Sequence, residues 1–427
     1  MANKPGAWMK LDNAAKIYPS TMRRNWMSMF RMSAVLTEPV DGELLTQALR
    51  QTLPRFPGTS VHLRRGMFWF YYEHADGIPP VGPDVTNPCV RINLHENGRF
   101  MFRVRFHDCR IAVETFHGLT DGHGGLCFIK TLVAEYLTLR YAAVIPRDAA
   151  ILDCSEPPKP SELEDAFLRY ATPHAAARDE KDAYYIRGEK EPPDVVHITT
   201  GMIPVAEVLE RAKAKGVTLT QYLTAVLLLA VDTVQRRNVK QERRLRLVRV
   251  SVPVNLRSFF PSETLRNFSL FVNVGIDPRL GTYSFDEMLN AVHSTMRHDA
   301  TEKNLRARFS ANVRSEKNIF LRVMPLFLKN LVLRVAVSRI GDRKASTTLT
   351  NLGRVTLPPE MSRYVTRLDV MLGPLSRSRV MCAALSYNGT LYFTFTRTIT
   401  DSSVEREFFR RLVRLGIHVK LESNNQW

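Results

Sequence analysis

The stretch Phe116-His117-Gly118-Leu119-Thr120-Asp121-Gly122-His123-Gly124-Gly125 sets a histidine, an aspartate and paired glycines where one regular element gives way to another. Upstream, Arg110 to Phe116 alternates and carries β-forming residues; downstream, Leu126, Ile129, Leu132, Val133, Tyr136 and Leu137 recur at helical spacing. The segment therefore reads as strand, loop, helix, with His117 ending the strand and the glycines opening the helix. The first N–H groups of a helix lack intrahelical partners and carry the positive end of its dipole. A protonated imidazole is disfavoured there, which leaves a neutral ring able to accept a proton. His117 is thus a candidate general base.

Phe100–Phe106 and Arg110–Phe116 pair as strands through a His107-Asp108 turn, after a strand, a helix and a hairpin. From about Pro146 to Pro193, a segment rich in Pro, Glu, Asp and Lys breaks the periodicity and reads as a crossover wrapping the surface. Beyond it the pattern predicts an amphipathic helix at Pro204–Lys215, an apolar one at Leu219–Val234, and strands at Leu245–Val252 and Phe268–Ile276. Asn388-Gly389 between Met381–Tyr387 and Thr390–Thr396 is a hairpin signal, and Asp401 caps a last helix to about Leu415. At 427 residues the chain exceeds a domain of about 100–200 residues, so the expectation is an α/β protein of two lobes with a cleft between them. The lobes span 1–145 and 196–427, joined by 146–195.

Composition narrows the class. The 44% hydrophobic content supports real cores, while the longest apolar run, Ala225–Val231, falls short of the roughly 20 residues of a membrane span. No basic region followed by an apolar stretch and a small-residue cleavage site opens the chain, so a cytoplasmic location is expected. Five cysteines without Cys-x-x-Cys spacing argue against a disulfide framework and a zinc site. The net charge of +18 attracts polyanions and acidic surfaces, but its basic residues are dispersed and no nucleic-acid-binding signature accompanies them. Nucleic acid is therefore not expected as a partner.

The His-x-x-x-Asp-Gly pattern at His117–Gly122 resembles the signature of the CoA-dependent acyltransferase superfamily of chloramphenicol acetyltransferase, BAHD enzymes, condensation domains and bacterial alcohol acetyltransferases. Other segments agree in order: Val40-Asp41-Gly42 with its helix and Arg55-Phe56-Pro57, the hairpin at Leu63–Trp69, Val252–Arg257 followed by Asn267, and Thr350–Val355. The resemblance implies two chloramphenicol-acetyltransferase-like lobes, each a mixed sheet with helices, and an active-site channel between them. It also implies that His117 is the base, that Asp121 pairs with Arg257 of the other lobe to hold the loop, and that no metal or resident cofactor is needed. Phe116 stands where condensation domains usually carry a second histidine, and the Asp-Phe-Gly-Trp-Gly motif of BAHD enzymes is absent. The resemblance thus runs nearest to alcohol acetyltransferase-like proteins.

Gly122, Gly124 and Gly125 supply either positive φ angles or close backbone approach, for a tight turn or for substrate. His123 lacks third and fourth ligands for a metal site. Asn351 reads either as a hydrogen-bond donor to a developing oxyanion or as a plain turn residue. The segments Met22–Met32 and Ile319–Ile340 mix apolar and basic residues; core strand and core helix are the usual explanation, with a membrane surface or the entrance for a hydrophobic substrate as the alternative. The implied function is acyl transfer from acyl-CoA, a co-substrate, to an alcohol or amine by a monomer. A free-standing condensation-like enzyme fed by an acyl carrier protein and a catalytically silent lipid- or protein-binding module are the alternatives.

Overall fold

The structure is a computed structural model describing residues 8–23, 26–176, 180–336, 343–374 and 378–424. Its first part runs β1 (Trp8–Lys10), α1 (Ile17–Thr21), β2 (Met29–Leu36), α2 (Gly42–Thr52), β3 (Val61–Arg65), β4 (Phe70–His74), β5 (Val81–Pro83), β6 (Phe102–His107), β7 (Arg110–Phe116) and α3 (Gly122–Tyr141). A crossover carrying α4 (Ala166–Tyr170) leads to β8 (His197–Pro204), α5 (Val205–Ala214), α6 (Leu219–Asn238), β9 (Val248–Asn255), β10 (Ser269–Ile276), α7 (Phe285–Asp299) and α8 (Glu302–Lys317). The chain ends in α9 (Ile319–Val323), α10 (Leu326–Ala336), β11 (Thr347–Arg354), α11 (Pro359–Ser362), β12 (Val365–Leu372), β13 (Val380–Tyr387), β14 (Thr390–Arg397), α12 (Ser403–Arg414) and β15 (Lys420–Ser423).

Local chemistry explains the elements that frame the site. Asp41 starts α2 by accepting from the N–H groups of Glu43 and Leu44 at 2.9 and 3.0 Å. Thr218 and Gln221 close a capping box on α6, which is buried along most of its length and forms the centre of the second core. Asn388 and Gly389 both take positive φ, 45° and 78°, the geometry that lets a two-residue turn follow the twist of β13 and β14. Asp401 does bond the N–H of Ser403 at 2.9 Å, although the cap position itself is Ser402.

The strands form a five-stranded sheet, β12-β2-β7-β6-β5, a seven-stranded sheet, β10-β9-β11-β13-β14-β8-β15, and a small β1-β4-β3 sheet. The first carries α2 and α3; the second carries α6, α7 and α12. One strand crosses the boundary that the sequence places at residue 196: β12 pairs antiparallel with β2. Its buried Val365, Leu368, Val370 and Met371 join the core of the first lobe, and that burial draws the strand across.

The crossover is pinned rather than merely wrapped around the surface. Phe167 of α4 is fully buried, edge-to-face with Phe268 at 5.1 Å and Phe309 at 5.8 Å. Glu162 receives both ends of the Arg55 guanidinium at 2.5 and 2.7 Å, while its carbonyl accepts from the N–H of Leu265 at 2.8 Å. The two amphipathic segments part company. Met22–Met32 feeds core strand β2, apart from Arg24 and Asn25, which lie outside the described residues. Ile319–Ile340 is not a core helix: it forms α9 and α10 with most of their apolar residues exposed, and 337–340 lie outside the described residues. No single described helix is long and apolar enough to cross a membrane.

Glu162→Gln strands a buried Arg55 charge and should cost about 3–5 kcal/mol of stability in urea unfolding. Replacing Arg55 and Glu162 together by leucine should recover most of that loss, since no unpaired charge then remains.

Candidate active site

His117 follows β7 directly and is held by its N–H, which donates to the carbonyl of Ser28 at 2.9 Å. Its ring stacks on Tyr18 of α1, with centroids 4.9 Å apart, and meets the edge of Phe30 of β2 at 5.3 Å. Nδ1 is buried without a hydrogen-bond partner among the described residues, although the residue keeps partial exposure. Burial of the ring lowers the His117 pKa below its ordinary value; the imidazole's own backbone carbonyl, Asp121, Asn267 and Asp12 oppose this without cancelling it. The shift runs in the direction that favours a neutral ring, and its leading cause is desolvation rather than the helix terminus.

The loop after His117 is held by one carboxylate. Oδ1 of Asp121 caps α3, accepting from the N–H groups of His123 at 3.1 Å and Gly124 at 3.3 Å. Oδ2 accepts from Arg257 Nη1 and from the N–H of Phe268, each at 2.8 Å. Arg257 spends its remaining donors on the carbonyls of Thr264 and Arg266 and on Asn255, so its head is fixed from several sides. Burial alone would raise the Asp121 pKa; the Arg257 charge and hydrogen bond outweigh it, and the carboxyl is held below its ordinary range.

The glycines serve close approach, since none of Gly122, Gly124 and Gly125 has positive φ. A Cβ at Gly124 would stand 2.2 Å from the carbonyl oxygen of Leu265 and from Thr120 Oγ1; one at Gly122 would stand 2.7 Å from Leu352 of β11. Residues from the second half of the chain thus press directly on the loop, and Thr120 donates across the same contact to Leu265 at 2.6 Å.

A residue that the sequence marks only as a landmark belongs to this group. Asn267 is buried, its Nδ2 donates to the carbonyl of Gly118 at 3.3 Å and to Asp12 at 3.4 Å, and its Oδ1 has no hydrogen-bond partner among the described residues. Asp12 is itself buried and faces Arg266 at 3.5 Å. Tyr72 of β4 adds a second bond to the Gly118 carbonyl at 2.8 Å. Nothing in the local pattern around Asp12, Tyr18 or Asn267 announces this meeting, because the three lie in separate segments brought together only by the fold.

Asn351 is placed differently. Its Nδ2 donates to Thr220 Oγ1 at 3.0 Å and its Oδ1 accepts from the N–H of Gly353 at 2.9 Å, so both ends of the amide serve the end of β11. The neighbouring Leu352 touches the loop at Gly122, while the hydrogen bonds of Asn351 run to Thr220 and Gly353 and not to His117, Asp121 or Arg257. His123 is exposed, and among the described residues no three His, Cys, Asp or Glu side chains gather as a metal site would require.

Neither a family model nor a curated protein matches the sequence. Solved structures do match. The chain superposes on polyketide synthase associated protein 5 from Mycobacterium tuberculosis with a TM-score of 0.60 at 14% identity, over 97% of this chain and 99% of that one. The starter condensation domain of rhizomide synthetase RzmA, solved as a point mutant in complex with C8-CoA, gives 0.60 at 15% identity over 96% and 94%. The first condensation domain of the calcium-dependent antibiotic synthetase gives 0.59 at 14% identity over 98% and 100%. The chain therefore has the fold of condensation domains, two chloramphenicol-acetyltransferase-like lobes.

Asp121→Asn keeps a cap acceptor but leaves Arg257 buried and unpaired, and should cost about 3–5 kcal/mol. A carboxyl held below its ordinary pKa contributes stability that is complete above about pH 4 and fades as pH falls through the lowered value. Stability curves of the wild type and of Asp121→Asn should therefore run apart at neutral pH and converge only in acid.

Proposed function

We propose that this protein transfers an acyl group from a thioester to an alcohol or amine, with His117 as the general base. The observation that carries this reading is the neutral, partly open imidazole of His117, set where both halves of the chain meet and backed by the Asp121–Arg257 clamp. With Nδ1 facing the interior, Nε2 is the nitrogen left to meet a reactant. It takes the proton of the acceptor hydroxyl or amine as that atom attacks the thioester carbonyl. The tetrahedral oxyanion collapses, the carbon–sulfur bond breaks, and the departing thiolate takes the proton back from His117. No bond to the enzyme forms, so the kinetics are sequential.

Asn351 is proposed as the oxyanion donor, because one N–H of its amide remains beyond the bond to Thr220. Acyl-CoA is the preferred donor, supported by the C8-CoA complex of the rhizomide synthetase domain, and the site needs no bound cofactor beyond that co-substrate. An alcohol is the preferred acceptor, since Phe116 replaces a histidine usual in peptide-forming relatives. A second reading, with an acyl carrier protein as donor, is favoured by the net charge of +18 and by condensation domains among the structural neighbours.

His117→Ala should lower turnover by about 10² to 10⁴ with the folded state intact by circular dichroism. Since burial lowers the His117 pKa, the rate should fall on acidification with a midpoint below the ordinary imidazole value of about 6.5 and be flat above it. The experiment is thiol release from acyl-CoAs of increasing length and from an acyl-loaded carrier protein, each against a panel of alcohols and amines. Equal rates for the wild type and His117→Ala with every donor would sink the enzyme reading and leave the silent binding module.

A further inference from the structure

Helix α10 is built inside out. On its outward face Phe327, Leu328, Leu331, Val332 and Val335 follow one another at helical spacing, and all are exposed. Its inward face carries the polar side chains. Lys329 is buried, with Nζ 3.4 Å above the Trp69 ring and donating to the carbonyl of Phe68 at 2.7 Å. Asn330 accepts from Ser20 Oγ at 2.9 Å, and Arg334 donates to the carbonyl of Ser20 at 2.7 Å. A surface helix ordinarily turns its apolar stripe to the core; here Lys329, Asn330 and Arg334, beside the buried Leu326, fix the helix to α1 and to the β3–β4 turn, and most of the apolar residues are left in solvent.

The outward stripe continues into its neighbours. In α9, Ile319, Phe320 and Val323 are exposed, and Met67 and Phe68 of the β3–β4 turn extend the patch, tied to α10 by the Leu326 N–H on the Met67 carbonyl at 2.9 Å. Phe320 is 77% exposed, Met67 75% and Phe327 62%, values that a solitary surface residue reaches but a contiguous set does not reach without a use. Along the segment that carries the patch the charge has one sign. From Lys317 to Ala336 the sequence contains Lys317, Arg322, Lys329 and Arg334 and no Asp or Glu. Lys317 and Arg322 are exposed in the same segment as the apolar stripe, as is Arg65 next to Met67.

We propose that α9, α10 and the β3–β4 turn form a membrane-docking face selective for anionic lipid bilayers. Apolar side chains enter the boundary between headgroups and acyl chains, and the flanking cations meet anionic headgroups, the arrangement by which an amphipathic helix lies in an interface. The basic rim distinguishes this occupant from a second copy of the chain, whose identical patch would bring like charges together. Docking does not depend on the acyl-transfer reading. If that reading holds, the face also has a place in it, since α10 packs on α1 and α1 supplies the Tyr18 ring stacked on His117.

The test is sedimentation of the full chain with vesicles of phosphatidylcholine alone and of phosphatidylcholine mixed with phosphatidylglycerol. The wild type should pellet with the mixed vesicles at least tenfold more strongly than with the neutral ones. Phe320→Glu/Phe327→Glu/Leu331→Glu should abolish pelleting with an unchanged circular-dichroism melt, because all three side chains point away from the core. Lys317→Gln and Arg322→Gln should each weaken anionic-vesicle binding about fivefold, the worth of one basic residue near a charged surface. Pelleting that is absent, indifferent to phosphatidylglycerol or unchanged in the triple variant overturns the proposal. So does a wild-type dimer that the triple variant converts to monomer, which would give the face to a second copy. All of these readouts are independent of turnover.

Discussion

The Asp121 carboxylate is the constraint on which the candidate site depends. It accepts two N–H groups from the first turn of α3, one from the Arg257 guanidinium and one from the backbone of Phe268. A carboxylate has about four lone-pair positions, and here all are used. One anion therefore starts the helix after His117, fixes the loop between them, and ties that loop to the second half of the chain. The glycines follow from the same contact. With Leu265 and Leu352 drawn this close, any side chain at Gly124 or Gly122 would collide with backbone or with a branched apolar group. The small residues are thus a consequence of the clamp as much as of the turn.

The imidazole beside it is governed by opposing influences. Buried among Tyr18, Phe30 and the strands beneath, the ring loses the hydration that would favour its charged form. Asp121 and Asp12 pull the other way, but each is already engaged with an arginine, Asp121 with Arg257 and Asp12 with Arg266. An anion neutralised nearby exerts little field at a distance. The ion pairs therefore shape the loop while burial outweighs them at the histidine, and that separation of roles lets a carboxylate four residues from an imidazole be its scaffold rather than its partner.

Local chemistry was legible in the sequence, and long-range placement was not. Asp41 as a cap, the Asn388-Gly389 turn, the Arg110–Phe116 strand and the helix after Gly122 each depend on residues within a few positions of one another, and each stands where periodicity and turn chemistry put it. The start of β9, expected at Leu245, moves to Val248 because a helical turn at Glu242–Arg244 delays it. The return of β12 to the first sheet could not be read, since its alternation states that one face is buried but not against which lobe. The pairing of Arg257 with Asp121 came only through resemblance across distant motifs. Asn267 entered only as a landmark of that resemblance, and Asp12 and Tyr18 carried no local signal at all.

The segment Ile319–Ala336 shows the same limit in its sharpest form. Hydrophobic periodicity says that a helix has an apolar stripe; it does not say which way the stripe faces. Direction is set by what the opposite face can bind, and here that face finds Trp69 for Lys329 and Ser20 for Asn330 and Arg334. A lysine head over an aromatic face, with a carbonyl to receive one of its protons, is a favourable burial for a cation, although desolvation still lowers its pKa to about 8. Because the polar face is satisfied within the protein, turning the helix over to hide its apolar stripe would strip three polar side chains of their partners. The outward stripe is therefore held in place by the contacts beneath it, and the exposure of those apolar residues is a built feature of the fold.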